Sequence, residues 1–249
     1  MLTKILTIYS NSKGVYGAPK IKKMLERDNI FISVRTVNNY MRILGIQSIV
    51  LKSYRKNQMS RLTDEEKSLI VNLIKNLNVH KPNQVWTTDI TYIKTVYDST
   101  LYLVTFIDYF TKKVVAWNLG FKMDSELINS TLNKAILNQN PSPGLIIHSD
   151  KGSQFRAKSY RSLISKHNFV YSYTSLNHSC DENAAQESFH SLLKKECLYQ
   201  HTLYHYSDTY ALIFEYIEGF YNTTRIHSSL GYLSPTEFEK NYFSSKNPL

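Results

Sequence analysis

Two cysteines in 249 residues, Cys180 and Cys197, are too few for a disulfide framework and argue for a reducing compartment. No apolar run approaches the roughly 20 residues of a membrane span, so no membrane partner is expected. The N-terminus has one lysine and a short apolar patch, too weak for a secretory signal. A cytoplasmic location follows as an expectation. Residues 1–62 contain neither His nor Cys, which excludes a zinc-stapled N-terminal module. Acids are scarce there too. Residues 1–62 hold 2 Asp/Glu against 12 Lys/Arg, while residues 63–249 hold 18 of each, so the whole net charge of +10 lies in the first quarter. Such asymmetry points to a basic arm that meets a polyanion, joined to a body with another task.

In the arm, Pro19 stands where a helix can start, and Ile21, Met24 and Leu25 form one apolar stripe up to Asn29. Ser33 offers an N-cap to a second helix, with Val34, Val37, Met41 and Leu44 at helical spacing before Gly45. This is the outline of a helix-turn-helix whose second helix would enter a major groove. Arg35, Asn38, Asn39 and Arg42 lie off the apolar stripe and are the candidates for contacts to phosphates or base edges. Lys52, Arg55, Lys56 and Arg61 then follow, with Tyr54 among them and no acid, as a linker suited to tracking a nucleic-acid backbone. Thr63-Asp-Glu-Glu66 matches a capping box and predicts a connecting helix to about Leu77.

The body opens on Gln84–Ile93, rich in β-branched and aromatic residues and read as a strand. Alternation puts Val85, Thr87, Asp89, Thr91 and Ile93 on one face and Trp86, Thr88, Ile90 and Tyr92 on the other. Taken alone, Asp89 is either an acid satisfied by neighbouring threonines or a ligand. Leu101–Asp108 and Val114–Leu119 read as two more strands, joined through Lys112-Lys113, and the three can form an antiparallel meander. A helix over Met123–Asn138 leads to the short apolar strand Leu145–Asp150. A strand reached through a helix is usually parallel to its partner, and beside the first strand it brings Asp150 close to Asp89. A helix near Ser159–Lys166, a strand Phe169–Tyr173 and a long helix from Glu182 to Leu198 complete the pattern. With Glu187 as origin on that last helix, Asn183, His190 and Lys194 fall within about 60° of it. Ala185, Phe189, Leu192 and Leu193 lie on the opposite, packing side. Glu182 falls about 140° away from Glu187 and is rejected as its rival.

Three carboxylates that the fold can bring to one point repel unless a cation neutralises them, and a hard divalent ion with oxygen ligands is the natural answer. Two such ions about 3.5–4 Å apart are the arrangement known for phosphoryl transfer. Asp89 would bridge them, with Asp150 and Glu187 holding one each. Asp108 ends its strand and reads better as a turn acid. His178, Cys180, His190, Cys197, His201 and His205 crowd one region, but their spacings fit none of the usual zinc patterns. Near the C-terminus, Ile213, Tyr216, Ile217 and Phe220 form a stripe that closes a core. Arg225 and His227 either position DNA or bond helix ends. Ser234-Pro-Thr-Glu237 is a capping box that opens a last short helix.

Several motifs in order resemble the insertion-sequence transposases of the IS-three family, relatives of retroviral integrases. They are Trp86-x-x-Asp-Ile-Thr-Tyr92, His148-Ser-Asp-Lys-Gly-Ser-Gln154, Asp181-Glu-Asn-Ala-Ala-Gln-Glu-Ser-Phe189 with Leu193-Lys-Lys-Glu196, and Tyr221-Asn-x-x-Arg-x-His227 with Leu230-Gly-Tyr and Ser234-Pro. Tyr16-Gly17 and the two helices after it resemble the helix-turn-helix that precedes this core. The resemblance implies an α/β, ribonuclease-H-like mixed sheet flanked by helices, behind a small all-α helix-turn-helix domain. It implies a DDE triad of Asp89, Asp150 and Glu187, and Mg²⁺ (or Mn²⁺) as two ions. It also implies cleavage and strand transfer of double-stranded DNA at element ends, with Gln154, Asn183 and Lys194 near the reacting phosphate. A homo-oligomer on DNA, a bacterial and nucleoid-associated setting and a first-reading-frame partner or fusion follow from the same resemblance. The expected units are 1–50 (helix-turn-helix), 51–80 (basic linker and helix), 81–238 (catalytic core) and 239–249 (tail). Asp150 and Glu187 stand one residue further apart than is usual in the family, and Glu182 replaces its usual aspartate. The alternatives are a non-catalytic DNA-binding regulator and a ribonuclease-H-type nuclease, since a fold alone does not choose a substrate.

Overall fold

The computed structural model describes residues 1–50, 72–174 and 183–246. Three helices come first: α1 (Leu2–Asn11), α2 (Ala18–Arg27) and α3 (Val34–Ile43). The sequence pattern gave the second and third. It missed α1, although Leu2, Ile5, Leu6 and Tyr9 fall at helical spacing along it and Ile5, Ile8 and Tyr9 pack into the core. The turn between α2 and α3 passes through Asn29 in the left-handed region (φ 58°), a conformation asparagine tolerates. Ser33 Oγ then accepts from the Thr36 N–H at 3.0 Å and starts α3. Val37 and Met41 of α3 pack into one core with Ile5, Ile21 and Leu25.

The predicted connecting helix falls mostly outside the described residues, and it does not reach Leu77. Asn72 Oδ1 accepts from the N–H groups of Ile74 and Lys75. An asparagine that bonds its own downstream backbone in this way makes a turn in place of a helix.

The body is one five-stranded mixed sheet, β1 (Val85–Lys94), β2 (Thr100–Asp108), β3 (Val114–Gly120), β4 (Ile146–Ser149) and β5 (Val170–Tyr173), in the order β3-β2-β1-β4-β5. The meander and the parallel placement of β4 beside β1 are as the sequence pattern predicts. Helix α4 (Ser125–Gln139) makes the crossover to β4, and α5 (Lys158–Lys166) the crossover to β5. On one face of the sheet, Trp86, Val104, Phe106 and Ala116 pack under Ile128 and Leu132 of α4 and Ile164 of α5. On the other, Ile93, Leu103, Ile107 and Trp117 pack under Phe189 and Leu193 of α6 (Ala184–Glu196).

Helix α7 (Tyr206–Phe214) runs on into a π-helix, Glu215–Tyr221, and α8 (Pro235–Lys246) ends the described chain. The wider π turn brings Tyr221 to the buried side along with Tyr216, Ile217 and Phe220. Ser234 and Glu237 form the expected reciprocal capping box. Residues 239–246, expected as tail, continue α8.

The same core that holds Phe189 and Leu193 also holds Ile21, Leu25 and Val37 of the N-terminal helices. Tyr16 makes that junction polar as well as apolar, since its hydroxyl donates to Thr224 O at 3.0 Å and accepts from the Ile226 N–H at 2.9 Å. Next to it Arg225 grips Glu196 of α6 with two nitrogens, at 2.7 and 2.6 Å, and the Tyr216 hydroxyl donates to the same carboxylate at 2.8 Å. A bidentate buried pair of this kind is strong in place, and removing one partner costs about 3–5 kcal/mol. Of the two readings of Arg225, the structure supports the structural one, because the side chain is buried.

His227 adjoins this pair, its Nε2 3.4 Å from Arg225 Nη1. Burial, then the charges of Arg225, Lys20 and Lys112, push its pKa from the ordinary 6.5 down to about 3. Between those values the unfolded chain binds a proton that the folded chain refuses, so stability falls as pH drops from about 6.5 and is flat in this group above it. Urea denaturation between pH 8 and 5 should show a slope of up to about 1.4 kcal/mol per pH unit below 6.5, and His227→Gln should remove that slope. An identical slope in the variant would contradict this assignment.

Candidate active site

Asp89 lies in the middle of β1, the central strand, opposite Thr105 of β2. On the other side Thr87 of β1 pairs with His148 of β4, in parallel. Two residues further along both strands, the same register sets Asp89 abreast of Asp150, just past the end of β4. Asp150 turns the chain out of the sheet, its Oδ1 accepting from the Gly152 N–H at 2.9 Å. Burial, and then the charge of Asp89, raise the pKa of Asp150.

Asp89 Oδ1 accepts from the Ile90 N–H at 2.8 Å, and Oδ2 lies 3.5 Å from His190 Nδ1. The other imidazole nitrogen is 3.4 Å from the Thr105 hydroxyl, so His190 spans α6 and the two central strands. Gln186 fixes the same helix more firmly. Fully buried, it donates from Nε2 to Thr87 O (2.7 Å) and Thr105 O (3.2 Å), and accepts at Oε1 from the Thr105 hydroxyl (2.8 Å).

Glu187, the next residue, is exposed in the first turn of α6. Among the described residues no three His, Cys, Asp or Glu side chains are close enough together to hold one metal ion. The structure thus brings Asp89 and Asp150 together, and Glu187 stands on α6, the helix packed over the same face of the sheet. Lys194, two turns on, carries its ammonium 5.4 Å from the centre of the Tyr92 ring. Burial lowers its pKa, and the charge of Asp89 opposes that shift.

The expected faces of α6 need one adjustment. Gln186, Phe189, His190, Leu193 and Glu196 are buried, while Ala185 and Leu192 are half-buried. His190, expected beside Glu187 on the open side, is turned under the helix. Counting polar residues outward hid this. With Gln and His admitted, residues 186, 189, 190, 193 and 197 form an unbroken i, i+3, i+4, i+7 stripe, the signal that could have found Gln186.

The expected DNA contacts fall in three groups. Arg35, Asn38, Asn39 and Arg42 are all exposed on α3, away from buried Val37 and Met41. Gln154 stands in the turn Ser153–Arg156 that follows Asp150, and the backbone of Asn183 caps α6. The Asn183 Oδ1 is buried without a hydrogen-bond partner among the described residues. Lys52, Arg55 and Lys56 lie outside the described residues, as do Glu182, His178 and Cys180. Asp108 is the turn acid the sequence suggested. It accepts from the N–H groups of Asn83, Phe110 and Thr111 and from the Thr111 hydroxyl, at 2.6–3.0 Å. Among the described residues no helix is long and apolar enough to cross a membrane.

The HTH-like domain family matches residues 1–54, and two integrase core domain families match residues 79–179 and 173–235. The chain is 33% identical over 237 residues to the transposase for insertion sequence element IS904 of Lactococcus lactis, covering 95% of this chain and 92% of that one. It is 31% identical over 236 residues to transposase InsF for insertion sequence IS3A of Escherichia coli, covering 94% and 80%. Among solved structures, an HTLV-2 integrase catalytic core domain in complex with magnesium covers 64% of this chain and 97% of its own, at 16% identity and a TM-score of 0.50. A simian T-cell lymphotropic virus intasome in complex with PP2A regulatory subunit B56 gamma covers 94% and 74%, at 15% identity and a TM-score of 0.53. Those two likenesses are of fold.

Gln186→Ala would strand the Thr105 hydroxyl and two strand carbonyls, and should cost about 1–3 kcal/mol of stability in urea titration. Glu187→Gln on the exposed neighbour should stay within about 0.5 kcal/mol. Equal costs for the two variants would contradict the pinning role given to Gln186.

Proposed function

The chain belongs to the IS-three family of insertion-sequence transposases, and on that premise we propose that it cleaves the DNA ends of its element and joins them to target DNA through Asp89, Asp150 and Glu187. It is an enzyme of the polynucleotidyl-transferase type. The observation that carries the residue assignment is the register of β1 and β4, which seats two carboxylates side by side beneath the helix bearing a third.

The donor set fits a hard divalent cation. Asp89 and Asp150 offer oxygen ligands, and burial, then the charge of Asp89, raise the pKa of Asp150, so a cation there would relieve an unfavourable charge. These two, joined by Glu187, would hold Mg²⁺ or Mn²⁺, two ions in the full reading. Bound there, such ions neutralise the acids, activate the attacking oxygen and stabilise the leaving one. The chain's own residues do the rest. His190 holds the Asp89 carboxylate in orientation, and Gln186 keeps α6 at its height over the sheet. Lys194 would supply a cation near Asp89 for a phosphate oxygen, and Gln154 and Asn183 would touch the DNA beside it. Water, or a DNA 3′-hydroxyl, attacks the phosphodiester in line, and the P–O bond opposite it breaks without a covalent protein intermediate.

Duplex recognition belongs to the N-terminal helices in this reading. Helix α3 would enter a major groove with Arg35, Asn38, Asn39 and Arg42, and Lys52, Arg55 and Lys56 would follow the backbone, weakening with salt. The protein would work in the bacterial cytoplasm as an oligomer on DNA, with a first-frame product as partner or fusion. No specific observation favours a regulator or a hybrid-cutting nuclease.

The test is a duplex carrying the element ends, incubated with Mg²⁺ and either wild type or Asp89→Asn. Wild type should cleave and join, and the variant should fall to background while binding the duplex within about twofold of wild type. Full activity in the variant would overturn the assignment.

A further inference from the structure

Past Asp89, β1 runs on to Lys94 still paired with β2, whereas its pairing with β4 has ended at Thr87. Facing this edge are the last turn of α6 and the turn Leu198–Gln200. A cavity of about 610 Å³ lies between them, lined by Tyr92, Lys94, Lys194, Leu198, Tyr199 and His201 among others. Among the described residues none of its lining side chains is acidic. Tyr92 is 64% exposed and Tyr199 67%, a large aromatic surface that folding does not use. Lys194 stands over the Tyr92 ring, and Tyr92 follows Asp89 by three residues on β1, which places the cavity along the strand from Asp89.

Two open rings with two lysines and no acid suit a nucleobase and the phosphate attached to it. Aromatic platforms flanked by cations are how single strands are held without sequence preference. A base inside a duplex has both faces covered by its neighbours, so a tyrosine can stack on it only after it leaves the helix. The volume is also of the size that takes a small ligand. We propose that this cavity is a stacking subsite for an unpaired nucleotide of the DNA strand flanking the reacting phosphate. The word "reacting" rests on the function proposed above, and the stacking does not.

The test uses the full chain in EDTA and a fluorescein-labelled mixed-sequence 15-nucleotide single strand, alone or annealed to its complement. Fluorescence anisotropy should show Tyr92→Ala/Tyr199→Ala binding the single strand at least about fivefold more weakly, since the stacking surface is lost. Duplex binding should change less than about twofold. Tyr92→Phe/Tyr199→Phe keeps the rings and should bind the single strand like wild type. A 2-aminopurine in the strand should be quenched on binding to wild type and to the Phe variant, and not on binding to the Ala variant. Unchanged single-strand binding by the Ala variant, an equal loss on the duplex, or failure of the Phe variant to bind would each overturn the subsite. Wild type that cleaves nothing, while the Ala variant still loses single-strand affinity selectively, would refute the proposed reaction and leave the single-strand site standing.

Discussion

Parallel pairing of two short stretches, β1 with β4, sends Asp89 of the central strand and Asp150, just past the end of β4, out side by side, so that two like charges are neighbours. Nothing in the packing rewards that arrangement. Burial, and then the charge of Asp89, raise the pKa of Asp150, and among the described residues its carboxylate accepts one backbone hydrogen bond, from Gly152. The sheet tolerates the pair because both of its faces are closed by apolar cores, so the register cannot slip to separate the acids without exposing Trp86 and Ile147 on one face or Ile93 on the other. Repulsion of this kind, held in place by packing, is stability given up at one point, as the proposed cation site requires.

The helix over the acids is held from two ends. Gln186 ties its first turns to the backbones of β1 and β2, and Glu196 ties its last turn to Arg225. The second tie reaches further than the helix itself. Arg225 is followed by Ile226, whose N–H bonds Tyr16, and Tyr16 opens the helical unit that carries α3. An apolar core runs through the same junction. Exposed Arg35, Asn38, Asn39 and Arg42 are thereby fixed in place relative to Asp89, as a protein that reads DNA at one point and acts on it at another requires.

Much of this was legible in the chain. Alternation placed Asp89 on its face of β1, and the strand–helix–strand order placed β4 beside it. What escaped was polar and buried. Gln186 and His190 sit under α6 because the Thr105 hydroxyl and the Thr87 carbonyl await them, and no hydropathy pattern shows a partner contributed by a distant strand. Arg225 reads as a candidate DNA contact until Glu196 is found against it. Residues 72–77, expected as the end of a connecting helix, form a turn because Asn72 bonds its own backbone instead. In each case a tertiary or side-chain hydrogen bond outweighed local periodicity.

The central claim is that Asp89 and Asp150 act as one divalent-cation site, and it can be measured without any DNA. Mn²⁺ titrated into the full chain, with free ion followed by electron paramagnetic resonance, should bind to wild type and bind at least about tenfold more weakly to Asp150→Asn, a difference of about 1.4 kcal/mol. Equal Mn²⁺ affinity in wild type and variant would contradict the account.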